Sequence, residues 1–247
     1  MFPFRDHNPS GKTPYVTWML IAINVIVHLA LLGMSQDVAA MNQFYTNFAL
    51  IPEQVTTGSG RLGYVTSMFL HGGLMHLIGN MLFLFIFGDN IEDEMGHLPF
   101  LGFYLLSGVV ASYAHVLTDP MSNIPLIGAS GAIAGVMGAY LLMFPKAKVD
   151  ILIILVIFVR LVSLPAWIVL AAWFALQLFS GFADPGSGGG VAYWAHAGGF
   201  LVGAAFALPL WLRNGGPDFW RRTEGHPPHP HPEYRFERTN VPKVGRK

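Results

Sequence analysis

Apolar residues fall in long unbroken runs with short polar breaks between them, not in the two-residue alternation of a half-buried strand. A helix crossing a bilayer needs about 20 mostly apolar residues. Six segments meet that demand: Tyr15–Leu32, Ser67–Gly88, Phe100–Leu117, Leu126–Phe144, Leu164–Gly181 and Tyr193–Leu212. The pattern predicts an all-α polytopic membrane protein of six transmembrane helices over residues 15–212. A polar segment precedes it at 1–14, and a polar, Pro- and His-rich basic tail follows at 213–247, expected to be flexible. The stretch Val149–Phe182 is too long for one span and too short for two, and Arg160 and Pro165 interrupt it. Ile151–Val159 therefore reads as an interfacial or re-entrant segment. Arg160 then lies at the interface, its long stem reaching toward water.

Composition agrees. The chain is 53% hydrophobic and 11% charged, with mean hydropathy +0.49, whereas charged residues make up about a quarter of a soluble domain. The formal net charge is zero, so nothing points to a nucleic-acid partner. With no cysteine, a disulfide framework, a thiol nucleophile and a thiolate metal site are excluded. Val38-Ala39-Ala40 loosely resembles a leader cleavage site, but the run before it is long enough to span and further spans follow. Six spans put both termini on one side. Of the 14 Lys and Arg residues, 13 fall on that side and Arg61 alone on the other, which predicts cytoplasmic termini.

With this topology, spans two, four and six start at the outer face, and each carries polar residues near its start. These are His71, His76 and Asn80 for span two, Ser130 for span four and His196 for span six. Such residues at membrane depth are costly and usually functional. The face Ser130, Ala134, Gly138 and the face His196, Gly199, Gly203 are lined with small residues, which let helices approach closely. Either face alone is more often a packing device. Packed together, they would bring Ser130 Oγ within reach of the His196 ring, the geometry of a nucleophile and its base. Asn24, His28 and His115 read as structural. The acidic cluster Asp89, Glu92, Asp93 and Glu94 reads as a solvated cytoplasmic turn.

Taken in order, these motifs resemble the rhomboid family. His71-Gly-Gly-Leu-Met-His76-Leu-Ile-Gly-Asn80 looks like its span-two motif, Gly128-Ala129-Ser130-Gly131 like its nucleophile motif, and Ala195-His196-Ala197-Gly-Gly199 like the start of its base helix. Glu92 and Gly96 sit where the family tends to have a Glu and a Gly. The resemblance implies a six-helix rhomboid-like bundle and an intramembrane serine endopeptidase that cuts membrane-spanning proteins. Ser130 would be the nucleophile and His196 the general base and acid, with no acidic third member. His76, Asn80 and the Ser130 backbone N–H would bind the oxyanion, and His71 would be structural. No cofactor or metal is expected, and the partners are transmembrane protein substrates and lipid. By analogy, the short form suggests a prokaryotic inner membrane. Two departures stand out. Arg61-Leu62-Gly63 occupies the place of a Trp-Arg pair, and Ala134 stands where some members stack a Tyr on the catalytic His.

The chemistry sets further expectations. A serine hydroxyl needs a neutral imidazole beside it. The helix N-termini near Ser130 and His196 favour the oxyanion and disfavour the imidazolium. Water must enter from the outer side, and the loop Gly181–Gly190, with five glycines, suits a mobile cap over His196. A metal role for His226, His229 and His231 is disfavoured, since no thiolate or carboxylate frame accompanies them. The rival readings are a non-proteolytic rhomboid-like factor that binds membrane proteins, and a small transporter. The first would lack the nucleophile or the base, and half-length repeats favouring the second are not seen.

Overall fold

The computed structural model describes residues 2–8, 10–34, 36–155, 158–183 and 191–227. Its elements in chain order are β1 (Phe2–Asp6), α1 (Tyr15–Leu32), α2 (Val38–Phe48), α3 (Pro52–Thr56), α4 (Gly63–Thr66), α5 (Leu74–Met95), α6 (His97–Thr118), α7 (Ser130–Met143), β2 (Lys148–Leu155), β3 (Phe158–Pro165), α8 (Ala166–Ala183), α9 (Tyr193–Arg213) and α10 (Pro217–Thr223). Among the described residues, α1, α5, α6, α8 and α9 are long and apolar enough to cross a membrane, and α7 is a shorter apolar helix. These are the six expected spans of a polytopic helical bundle.

The central element is α7, whose Ala132, Ala134, Val136, Ala139 and Tyr140 are completely buried. A helix this rich in glycine and alanine gets little stability from its own propensity and is held by its neighbours. It has 14 residues, about 21 Å at 1.5 Å per residue, against a hydrocarbon core of about 30 Å. It starts at Ser130, four residues later than the apolar run suggests, because the segment before it is extended. That segment is tied down by a bridge between Leu50 and Leu126 (2.8 and 3.1 Å) and by the Gly128 N–H donating to Ser67 O at 2.9 Å.

Helix α5 starts at Leu74 and continues beyond the expected span through Glu92. Glu92 is no solvated turn residue. It is buried, and its carboxylate accepts from Val16 N–H (2.8 Å), Thr17 N–H and hydroxyl (both 2.7 Å) and His97 Nδ1 (2.6 Å). It thereby caps the first turn of α1, whose N–H groups have no partner within the helix. Asp93 is engaged as well, by Gly11 N–H at 2.6 Å and by the Lys12 ammonium at 3.1 Å.

The described residues of the segment expected to be interfacial or re-entrant, 151–155 and 158–159, are β-strand. Strands β2 and β3 form an antiparallel pair, and β1 joins the far edge of β2 to make a three-stranded sheet in the order β1-β2-β3. Asp150 holds the sheet together. Its buried carboxylate accepts from the Ser163 hydroxyl, from Arg5 at 2.8 Å and from His7 at 2.7 Å. The Ser163 hydrogen bond, then those of Arg5 and His7, hold it well below the usual carboxylate range. The tail likewise begins as structure. In α10, Phe219 is buried against Phe144, and Trp220 Nε1 donates to Leu142 O at 2.9 Å. His229 and His231 lie outside the described residues.

Candidate active site

Ser130, His196, His76 and Asn80 all line one cavity of about 890 Å³. Ser130 opens α7 and His196 lies in the first turn of α9. The Ser130 hydroxyl oxygen lies 2.7 Å from His196 Nε2, within hydrogen-bond distance. What brings the helices this close is a stripe of glycines. A Cβ at Gly199 would overlap the carbonyl oxygen of Gly131, and one at Gly203 would overlap the backbone of Gly135. The close face of α7 is therefore Gly131, Gly135 and Gly138; of the expected Ser130, Ala134 and Gly138 face, Gly138 belongs to it, against Phe200. Ser130 sits beside that seam and is free to point into the cavity.

The donors expected around an oxyanion come from α5 and the α7 N-terminus. The His76 ring lies against Gly128: a Cβ there would be 2.8 Å from His76 Nε2 and 3.7 Å from Ser130 Oγ. Gly128 also has φ +124°, a backbone conformation open to glycine and strained for other residues. Asn80, one turn along α5 from His76, is buried, and its Nδ2 has no partner among the described residues. The Ser130 N–H, in the first turn of α7, has no partner within the helix. His71 is buried outside the cavity, its ring edge-on to His76 at 5.0 Å between centroids.

Three residues in or beside the cavity were not singled out as functional by sequence reasoning. His115, read as structural, lines the cavity from α6. Gln177 on α8 is buried, and its Oε1 accepts from His196 Nδ1 at 2.8 Å. Trp173, one turn earlier on α8, lies over the imidazole with centroids 5.8 Å apart and planes at 34°. The signal for Gln177 was available: it is a polar residue inside an otherwise apolar span, the same mark that drew attention to His76 and Asn80. The expected cap at 181–190 lies, from residue 184 on, outside the described residues. Asn24 and His28, expected to be structural, lie apart from the cavity, and Asn24 Nδ2 donates to Leu20 O of its own helix at 2.8 Å.

A family model described as the Rhomboid domain matches residues 59–213. The chain is 28% identical over 187 residues to Rhomboid protein 1, mitochondrial, of Saccharomyces cerevisiae, covering 72% of this chain and 51% of the yeast protein. It is 28% identical over 214 residues to Presenilin-associated rhomboid-like protein A, mitochondrial, of Danio rerio, covering 83% and 49%. To Rhomboid-related protein 2 of Mus musculus it is 32% identical over 140 residues, covering 56% and 44%. The chain spans about half the length or less of these relatives. Two are mitochondrial by name, and the expected prokaryotic cell membrane finds no support in them.

Proposed function

The chain belongs to the rhomboid family, and we propose that it is an intramembrane serine endopeptidase acting through Ser130 and His196. Family membership supports an intramembrane protease-type function in general. The assignment to these two residues rests above all on the 2.7 Å contact between Ser130 Oγ and His196 Nε2, made inside a cavity at the start of a short central helix.

Ser130 Oγ attacks the carbonyl carbon of the scissile peptide bond while its proton passes to His196 Nε2. The negative charge that develops on the carbonyl oxygen is met by the Ser130 N–H, Asn80 Nδ2 and the His76 ring, with the α7 N-terminus adding positive potential. His196 then gives its proton to the departing amine nitrogen. In the second half, water loses a proton to His196, attacks the acyl-serine carbonyl and regenerates the hydroxyl. The substrates in this reading are transmembrane segments of other proteins. The fitting orientation has both termini and the β-sheet in the cytoplasm, with the basic residues on that side.

The test is labelling of the detergent-solubilised protein with a fluorophosphonate, which reports an activated serine. Wild type labels at Ser130, and Ser130→Ala and His196→Ala do not, although both remain folded. Equal labelling of folded His196→Ala protein, or cleavage of a model membrane substrate by Ser130→Ala protein, sinks the assignment.

A further inference from the structure

We propose that Gln177 is a positioning residue for the base, holding His196 in the tautomer that carries its proton on Nδ1 and leaves Nε2 free to accept from Ser130. This inference rests on the reading of Ser130 as nucleophile and His196 as base. A neutral imidazole has one N–H and one bare nitrogen, and only the form with Nε2 bare can take the serine proton. An amide oxygen accepts hydrogen bonds and does not donate. Gln177 Oε1, 2.8 Å from Nδ1, therefore selects that form. Were the amide turned so that its nitrogen faced the ring, it would select the other form, in which Nε2 carries the proton and cannot act as base.

Independent features of the structure support the role. Gln177 is buried in α8, a helix whose other residues are apolar except Ser180, and a buried polar group at this depth is costly without a partner. Trp173 lies one turn before it on the same helix, its ring tilted against the imidazole at 5.8 Å between centroids, so one face of α8 meets both the ring and its Nδ1. That face is itself held to α9, through Phe174 stacked on Phe200 at 4.8 Å and Trp173 at 6.0 Å from the same ring. The ring has no tyrosine to lean on from α7, where position 134 is alanine. Orientation of the base thus comes from α8, an element that supplies neither the nucleophile nor the proposed oxyanion donors.

Three proteins decide the matter: wild type, Gln177→Met, which keeps length and loses the acceptor, and Gln177→Glu, which keeps an acceptor oxygen. The rate constant of fluorophosphonate labelling is measured together with thermal melting and the 15N chemical shifts of the His196 ring. Gln177→Met should label at least about tenfold more slowly at an unchanged melting temperature, with the Nδ1 resonance moved away from its protonated position. Gln177→Glu should return the rate to within about threefold of wild type. A merely structural glutamine would move the melting temperature and leave the ring resonances alone. Wild-type rate and spectrum in Gln177→Met overturn the proposal, as does a Gln177→Glu protein as slow as Gln177→Met. Should Gln177→Met fail to fold, the wild-type spectrum decides: Nδ1 must be protonated, and a proton on Nε2 overturns the proposal. A wild-type chain whose Ser130 does not label removes the protease reading and this inference with it. Labelling of wild type with no effect at Gln177 removes the inference alone.

Discussion

At the scale of the residue, the most informative atom is Asn80 Nδ2, a buried donor without a partner among the described residues. Leaving such a group unpaired costs about 1–3 kcal/mol, so the folded protein carries a donor that the resting bundle does not use. An oxyanion would satisfy it. Asn80→Ala should therefore lower kcat about a hundredfold, with little change in KM and no loss of thermal stability. Melting curves and steady-state cleavage of a model substrate check both halves. A parallel drop in melting temperature and activity would make Asn80 structural. His76→Ala should lower kcat similarly, because the His76 ring occupies the space over Gly128 beside Ser130 Oγ. The sequence singled out these residues by their polar character at one depth, and the structure brings them to one cavity. Gln177 carried the same mark, but that it meets His196 Nδ1 follows from the packing of α8 on α9, which no motif in the sequence shows.

Between elements, the decisive contact is the glycine seam of α7 and α9. A Cβ at Gly203 would overlap the oxygen, Cα and carbonyl carbon of Gly135, which are backbone atoms and cannot rotate away. Even alanine there must push the two helices apart and draw His196 from Ser130. Since a misplacement of about 1 Å can cost about a hundredfold in rate, Gly203→Ala should lower serine labelling by that order while the protein stays folded in detergent. Gly102→Ala on α6, where nothing lies within 4 Å of the new Cβ, should be neutral or slightly stabilising. The sheet allows a second test. Asp150 has a folded pKa below its unfolded value of about 3.9, so its stabilisation is in force above that value and is lost as pH falls toward the folded pKa. Asp150→Asn should lower the melting temperature at pH 7, and its melting temperature should fall less than that of wild type between pH 5 and pH 3. The helices themselves were legible: α1 and α9 lie where the apolar runs end. The sheet was not, because an apolar run of eight or nine residues suits a strand, an interfacial helix or a loop equally. Its partner strand β1 lies more than 140 residues away, and Arg5 in it and His7 just after it bond to Asp150. Glu92 was misread for a related reason. A charge in sequence reads as exposed, and the α1 N-terminus that buries it comes from 75 residues earlier.

For the molecule as a whole, the proposed protease function makes the length of α7 the feature that sets where cleavage would happen. Its 14 residues cover about 21 Å of a hydrocarbon layer of about 30 Å, so Ser130 begins several ångströms below the outer surface if α7 reaches the opposite face. The cavity is lined from Ser130 to the polar residues Thr118, Asp119 and Ser122, which in the proposed orientation face the outer side. A transmembrane substrate arrives as a helix whose carbonyls are closed in internal hydrogen bonds, so the scissile region must unwind before Ser130 can reach it. Glycine or proline lowers that cost by about 1–3 kcal/mol per residue relative to alanine. The protein should therefore cut model substrates near their outer end, next to a helix-weakening residue, and should do so poorly when that residue is replaced by leucine. Moving the helix breaker to the cytoplasmic half should not move the cut with it, because no nucleophile waits at that depth. Mass spectrometry of the products from the three substrates checks each expectation. Efficient cleavage of the all-leucine segment, or cut sites that follow the breaker into the cytoplasmic half, would mean that the depth of Ser130 does not govern where the enzyme cuts.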